Sequence, residues 1–157
     1  MKCFNKCAAL MMMAVLPTVG LAGVAHAASV RAASSETTAC NVTRNGTTCY
    51  PTEREMDVAI AASVSRGPAF PAGTCAVGVR LYDGTSFTGS VVNITITGSD
   101  VALSTLGFAS RTSSYKIGSC STTFKKGSSV YPGTTAPNVS STSMLSGWDN
   151  AITIVRM

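Results

Sequence analysis

Histidine is almost missing from this chain: among 157 residues there is one, His26. Beyond residue 26 no Ser-His-Asp or Cys-His nucleophile pair can be assembled, and no zinc can be held by imidazole. Charge is also scarce, at 12% of residues, and the seven carboxylates are Glu36, Glu53, Glu55, Asp57, Asp83, Asp100 and Asp149. A glycosidase needs two carboxylates across a cleft, and no motif pairs any two of these. The formal net charge is +5, but the basic residues are scattered and only Lys125 and Lys126 adjoin. A nucleic-acid surface needs them gathered in a patch. The adjacent pair reads as a solvated hairpin tip. One long apolar run exists, residues 8–24, interrupted by Pro17, Gly20 and Gly23 and with no cysteine at its end. A spanning helix and a lipoprotein anchor are both disfavoured by that pattern.

What is present at the start is a basic opening, Lys2 and Lys6, then the apolar run, then Ala25-His26-Ala27. These are the three parts of a secretory signal peptide, cleaved before Ala28. Export without a retained membrane segment is therefore expected. Cys3 and Cys7 leave with the peptide, and Cys40, Cys49, Cys75 and Cys120 remain. An even number in a small exported chain argues for two disulfides among three connectivities. The Asn45-Gly46 turn between the first two favours Cys40 with Cys49, which leaves Cys75 with Cys120. Four cysteines without histidine do not have the spacing of a zinc site.

The remainder divides by texture. Residues 28–39 are small and polar with no periodicity. Thr52-Glu53-Arg54-Glu55 is a capping box that starts a helix. Met56, Ala59, Ile60, Ser63 and Val64 fall on one stripe of it, and Gly67-Pro68 ends it. Glu53, Glu55 and Asp57 read as a solvated first turn favoured by the helix dipole. Residues 66–73 form a turn and polyproline linker. From residue 74 the pattern is short alternating runs, 76–82, 91–96, 114–117 and 151–157, split by turn residues. Three segments are expected: signal peptide 1–27; leader, disulfide hairpin, helix and linker 28–73; and an all-β unit 74–157.

That last segment repeats itself. Gly107-Phe108-Ala109-Ser110-Arg111-Thr112-Ser113-Ser114-Tyr115-Lys116-Ile117 is echoed forty positions later by the stretch from Gly147-Trp148-Asp149-Asn150 to Met157. Fixed-period similarity of this size marks a duplicated supersecondary unit. The expected fold is all-β with one short helix, two four-stranded Greek keys packed face to face as a sandwich. The residues Leu81-Tyr82-Asp83-Gly84-Thr85-Ser86-Phe87-Thr88-Gly89, then Phe124, Tyr131 and Gly133, then Trp148 to Val155, resemble the βγ-crystallin family. The disulfide hairpin and helix ahead of such a module are similar to small exported proteins of Gram-positive soil bacteria. That group includes metalloprotease inhibitors and killer-toxin-like or antifungal proteins.

The resemblance implies a calcium motif, Asp/Asn-Asp/Asn-x-x-Ser/Thr-Ser. Asp149-Asn150-Ala151-Ile152-Thr153-Ile154 matches at every position but the last, whereas Ala109-Ser110-Arg111-Thr112-Ser113-Ser114 has lost both acidic or amide positions. At most one weak calcium site is implied, from Asp149 or Asn150 with Ser113, Thr153 and backbone carbonyls, because affinity falls as ligand charge is removed. The other use of Asp149 and Asn150 is to cap a turn through their own hydrogen bonds.

The function expected is binding without catalysis by a secreted monomer, with an extracellular protease or a cell-wall polymer as partner. Nucleic acid is excluded as a partner, and membrane after signal cleavage. The alternatives are a structural or calcium-binding protein of the envelope or spore surface and, more remotely, a carboxylate-dependent hydrolase. Asn-x-Ser/Thr sequons stand at Asn41, Asn45, Asn93 and Asn138.

Overall fold

Alternation along Val79-Arg80-Leu81-Tyr82 sends Val79 and Leu81 to one face of a strand and Arg80 and Tyr82 to the other, with all but Arg80 buried. This strand is therefore covered on both sides. The structure, a computed structural model, describes residues 37–66, 75 and 77–157. The expected signal peptide and most of the leader and linker lie outside the described residues.

The strands in chain order are β1 (Ala39–Thr43), β2 (Gly46–Tyr50), β3 (Val79–Tyr82), β4 (Val91–Ile94), β5 (Asp100–Ala102), β6 (Ser114–Lys116), β7 (Thr123–Lys126), β8 (Ser129–Val130), β9 (Ser140–Ser141) and β10 (Ile154–Arg156). They form a six-stranded sheet, β2-β1-β4-β3-β6-β9, and a four-stranded sheet, β5-β10-β7-β8. The expected sandwich of two Greek keys is present. Each half gives three strands to its own sheet and its third strand, β5 or β9, to the other. The halves thus close each other.

The duplication is visible atom by atom. Ser110 N donates to Ile152 O and Asn150 N donates to Thr112 O, both at 2.9 Å, each bond the image of the other after a forty-residue shift. Ser110 and Asn150 both have positive φ, 56° and 53°. Between the sheets, Leu81, Ile94 and Tyr115 meet Val101, Phe124 and Val155 in one core. Thr112 and its counterpart Ile152 are both fully buried, and Thr112 Oγ1 has no hydrogen-bond partner. A buried hydroxyl without a partner is destabilising. Thr112→Val is expected to raise the unfolding free energy by about 1 kcal/mol, read as a higher urea midpoint at unchanged m-value.

The N-terminal hairpin is joined to this sandwich. β1 runs parallel to β4, with Cys40 beside Val92, and antiparallel to β2, with Cys40 opposite Cys49. The six-stranded sheet therefore includes strands on both sides of residue 73. Asn45-Gly46 is not the centre of the hairpin turn. Arg44 and Asn45 fill that place and Gly46, at φ 132°, opens β2. The shift follows from Thr43, whose hydroxyl accepts from Asn45 N and donates to Gly46 O, closing the turn one residue early.

The helix α1 (Glu53–Arg66) starts where the capping box predicts: Glu55 N donates to Thr52 Oγ1 at 3.2 Å, and that hydroxyl donates to Glu55 Oε2. It lies on the outer face of the six-stranded sheet. Met56 is buried there against Ala39, Tyr82 and Val91. Ser63 and Val64, on the same predicted stripe, are exposed, so only the first half of the stripe packs. No helix among the described residues is long and apolar enough to cross a membrane.

Candidate functional site

Two disulfides frame the molecule, Cys40–Cys49 and Cys75–Cys120, with Cα atoms 4.0 and 5.4 Å apart. This is the expected pairing, and it suits an oxidising compartment. The first joins directly opposed residues of a hairpin. The second ties residue 75, ahead of β3, to the segment after β6.

Beside that second bridge the chain 134–139 is held along its length. Tyr115 Oη donates to Thr134 O at 2.8 Å and Thr122 N to Thr135 O at 3.0 Å. Asn138 N donates to Gly118 O at 2.8 Å and Ile117 N to Val139 O at 2.7 Å. Thr134, Ala136, Pro137 and Asn138 are exposed. The result is a projecting loop whose backbone is fastened to 117–122, which Cys120 in turn fastens to Cys75. Burial, together with the neighbouring Tyr131 hydroxyl, pushes the Tyr115 phenol up to about 12, so this anchor stays protonated at neutral pH.

Of the four residues implied for calcium, the fold brings three together. Ser113 Oγ donates to Asn150 Oδ1 at 3.3 Å, and Asn150 Nδ2 donates to Asp149 Oδ2 at 3.3 Å. Thr153 is elsewhere: its hydroxyl donates to Lys125 O and accepts from Gly127 N, holding the β7–β8 hairpin. The three oxygen-bearing side chains suit a hard cation in type. Their charge is low, one carboxylate, and Lys126 Nζ already donates to Gly147 O at 3.3 Å, two residues from Asp149. The corresponding turn of the first half carries its own cation, Arg111, which donates to Gly107 O and pairs with Asp83 at 2.6 Å. Of the four side chains implied for calcium, Asp149, Asn150 and Ser113 are the ones that lie together at the second-half turn.

The folded hairpins of the two halves are pinned differently. In the first, Ser114 Oγ donates to Gly84 O at 2.6 Å and accepts from Phe87 N at 3.1 Å. Phe87 and Gly89 both have positive φ, so the bend depends on that pin. In the second, Ile154 stands at the serine position, and the Tyr131 ring lies where a Cβ on Gly133 would be. Lys125, expected as a solvated tip, ends beside Asp100 at 2.8 Å and holds that carboxyl below its usual range.

The residues least legible in the sequence lie under α1. Glu53 and Asp57, expected as a solvated first turn, both bind Arg80 of β3. Arg80 Nη1 donates to Glu53 Oε1 at 2.7 Å, and its two amino groups grip both oxygens of Asp57. Tyr82 Oη donates to the same Glu53 oxygen at 2.7 Å. Burial first, and Glu53 second, push the Tyr82 phenol above its ordinary value. Lys116 Nζ lies over the Tyr82 and Phe87 rings, 5.2 and 4.5 Å from their centroids. The alternation of 79–82 placed Arg80 on the outer face, but only α1 decides what it meets there.

The chain matches no protein-family model, and no curated protein is similar to it. Among solved structures it is similar to a beta gamma crystallin from Ciona intestinalis, at 19% identity over 50% of this chain and 96% of that one, with a TM-score of 0.37.

Proposed function

We propose that this chain is a secreted, non-enzymatic binding protein that presents the loop 134–139 to an extracellular partner, a protease or a cell-wall polymer. The observation carrying this reading is the fastening of that loop. Four hydrogen bonds to neighbouring backbone and side chain, beside the Cys75–Cys120 bridge, hold an exposed segment in one shape. A loop ordered before binding loses less entropy on association. Binding residues are disproportionately found on loops held by a rigid scaffold. Secretion is supported by the disulfides, and a binding rather than hydrolytic role by a sequence whose one histidine precedes the cleavage point.

The test is inhibition of a panel of secreted metalloproteases and retention on insoluble peptidoglycan. The purified protein is compared with a variant in which 134–139 is replaced by Gly and Ser at equal length. At least tenfold weaker inhibition or retention by the variant, at a melting temperature near the original, is the expected outcome. Equal activity of the two proteins, or none in either, would remove the loop from the account.

A second reading, a calcium-binding structural protein of the cell surface, is favoured by the Ser113–Asn150–Asp149 chain. With a site of about 1 mM affinity, 10 mM calcium would stabilise the fold by about 1.4 kcal/mol. Thermal unfolding in chelator and then in calcium measures it. The rise in midpoint should vanish in Asp149→Ala/Asn150→Ala, and a shift unchanged in that variant would exclude these residues as ligands.

A further inference from the structure

β2 is one edge of the six-stranded sheet, and the direction of its backbone groups follows from its neighbour β1. Thr38 O and Val42 O accept from Val91 N and Thr95 N, so the even-numbered residues of that stretch turn their N–H and C=O toward β4. Ala39, Asn41 and Thr43 therefore face β2, where they stand opposite Tyr50, Thr48 and Gly46. That leaves the N–H and C=O of Thr47 and Cys49 pointing away from the sheet. Cys40 and Cys49, with Cα atoms 4.0 Å apart, are close enough to be an opposed pair without mutual hydrogen bonds, as this assignment requires. Among the described residues no strand lies on that side to pair with them.

Exposed edges in soluble proteins are usually guarded by shortness, charge or proline. The other edges here obey that rule: β8 and β9 have two residues each, and β5, of three, begins with Asp100. β2 does not. It has five residues, all but Tyr50 exposed, and no charge lies between Arg44 and Glu53. Pro51, which has no N–H, follows only after the strand has ended.

We propose that β2 is a docking edge for a second copy of this chain, paired antiparallel to its own β2 about a two-fold axis at Thr48. The strand is complementary to itself in that register. Thr47 stands opposite Cys49 of the second copy and Cys49 opposite its Thr47, so each pair exchanges both backbone bonds and every free group on the edge is used. Thr48 meets Thr48 across the axis. Tyr50 meets Gly46 of the second copy, whose Cβ position is open space, so the ring has room to lie over the glycine. Gly46, Thr48 and Tyr50 share the face that carries α1, since Tyr50 packs against the Met56 cluster. The contact is small, and association is accordingly weak, with Kd of about 0.1–1 mM. β9, which directly follows the loop 134–139, is the opposite edge of the sheet. The two loops of a dimer are therefore left uncovered at its outer ends, roughly 50 Å apart at the usual strand spacing. The pairing itself does not rest on the function proposed for those loops.

The test is sedimentation equilibrium of the protein with both disulfides intact, from about 10 µM to 2 mM, a range that brackets the expected Kd. A monomer should give way to a dimer across it, and backbone amide shifts centred on Thr47 and Cys49 should grow with the same concentration dependence. Thr48→Lys and Thr48→Glu each place like charges directly opposite at the axis and should raise Kd about fivefold or more. An equimolar mixture of the two variants should associate at least as tightly as the unaltered protein, a rescue that a merely structural effect of either substitution would not produce. A monomer at every concentration, amide shifts centred elsewhere, a Kd untouched by Thr48→Lys, or a mixture no tighter than its components would each overturn the proposal.

Discussion

Removal of the Cys75–Cys120 bridge, in a Cys75→Ser/Cys120→Ser variant, is expected to lower the unfolding free energy by about 4 kcal/mol. The figure follows from the 45-residue separation of the two cysteines: a closed loop of that length loses much of its freedom in the unfolded chain. The Cys40–Cys49 bridge spans 9 residues and should contribute about 3 kcal/mol. Domains of this size are stable by roughly 5–15 kcal/mol in all, so the first variant approaches the threshold of folding. The two bridges should also separate functionally. Cys120 lies in the stretch that holds the loop, through Gly118 O and Thr122 N, whereas Cys40 and Cys49 are in the β1–β2 hairpin. Urea unfolding gives the stability difference, and partner binding at a temperature where both variants are folded gives the functional one. If the two variants lost binding equally, the loop would not depend on the Cys75–Cys120 bridge.

Phe124→Ala is the second large expected effect, a loss of about 3–5 kcal/mol. Phe124 has no exposed surface, and it stands on β7 of the four-stranded sheet with its ring edge-on to Tyr115 of β6, 5.0 Å between centroids. It thus joins the two sheets. Tyr131 packs against both rings, 6.0 Å from Tyr115 and 5.9 Å from Phe124, and Trp148 against Tyr131 at 5.3 Å. A smaller side chain there leaves a void that closes only if the other three aromatics, Tyr115, Tyr131 and Trp148, move. Tyr131→Phe, which removes the hydroxyl that accepts from Leu145 N and neighbours the Tyr115 phenol, should cost about 1 kcal/mol. A urea-unfolding comparison checks the pair: a Phe124→Ala effect no larger than that of Tyr131→Phe would mean the core closes over the void.

The forty-residue echo was legible because it repeats a backbone device rather than a composition. Ser110 and Asn150 must both enter the left-handed region so that each can donate to the other half, and small polar residues mark both positions. The cap at Thr52 was legible for the same local reason. The hairpin turn lies one residue earlier than the Asn-Gly pair predicts because Thr43, outside that pair, closes it. β8 and β9 have two residues each and β5 three, too few for any alternation to be read. Of the residues implied for calcium, spacing could not reveal that Thr153 belongs to a hairpin while Ser113 reaches across to Asn150.

The sequence by itself determined a β-rich, duplicated, twice cross-linked chain with one capped helix, since periodicity, turn chemistry and caps act over a few residues and are written where they act. Only the tertiary structure decided that β5 and β9 change sheets, that β1 lies parallel to β4, that 134–139 is fastened beside Cys120, and that Arg80 takes both Glu53 and Asp57. Those outcomes join residues far apart in the chain. They depend on which closure of long loops buries the most apolar surface while leaving few polar groups unpaired, a balance that no local stretch contains.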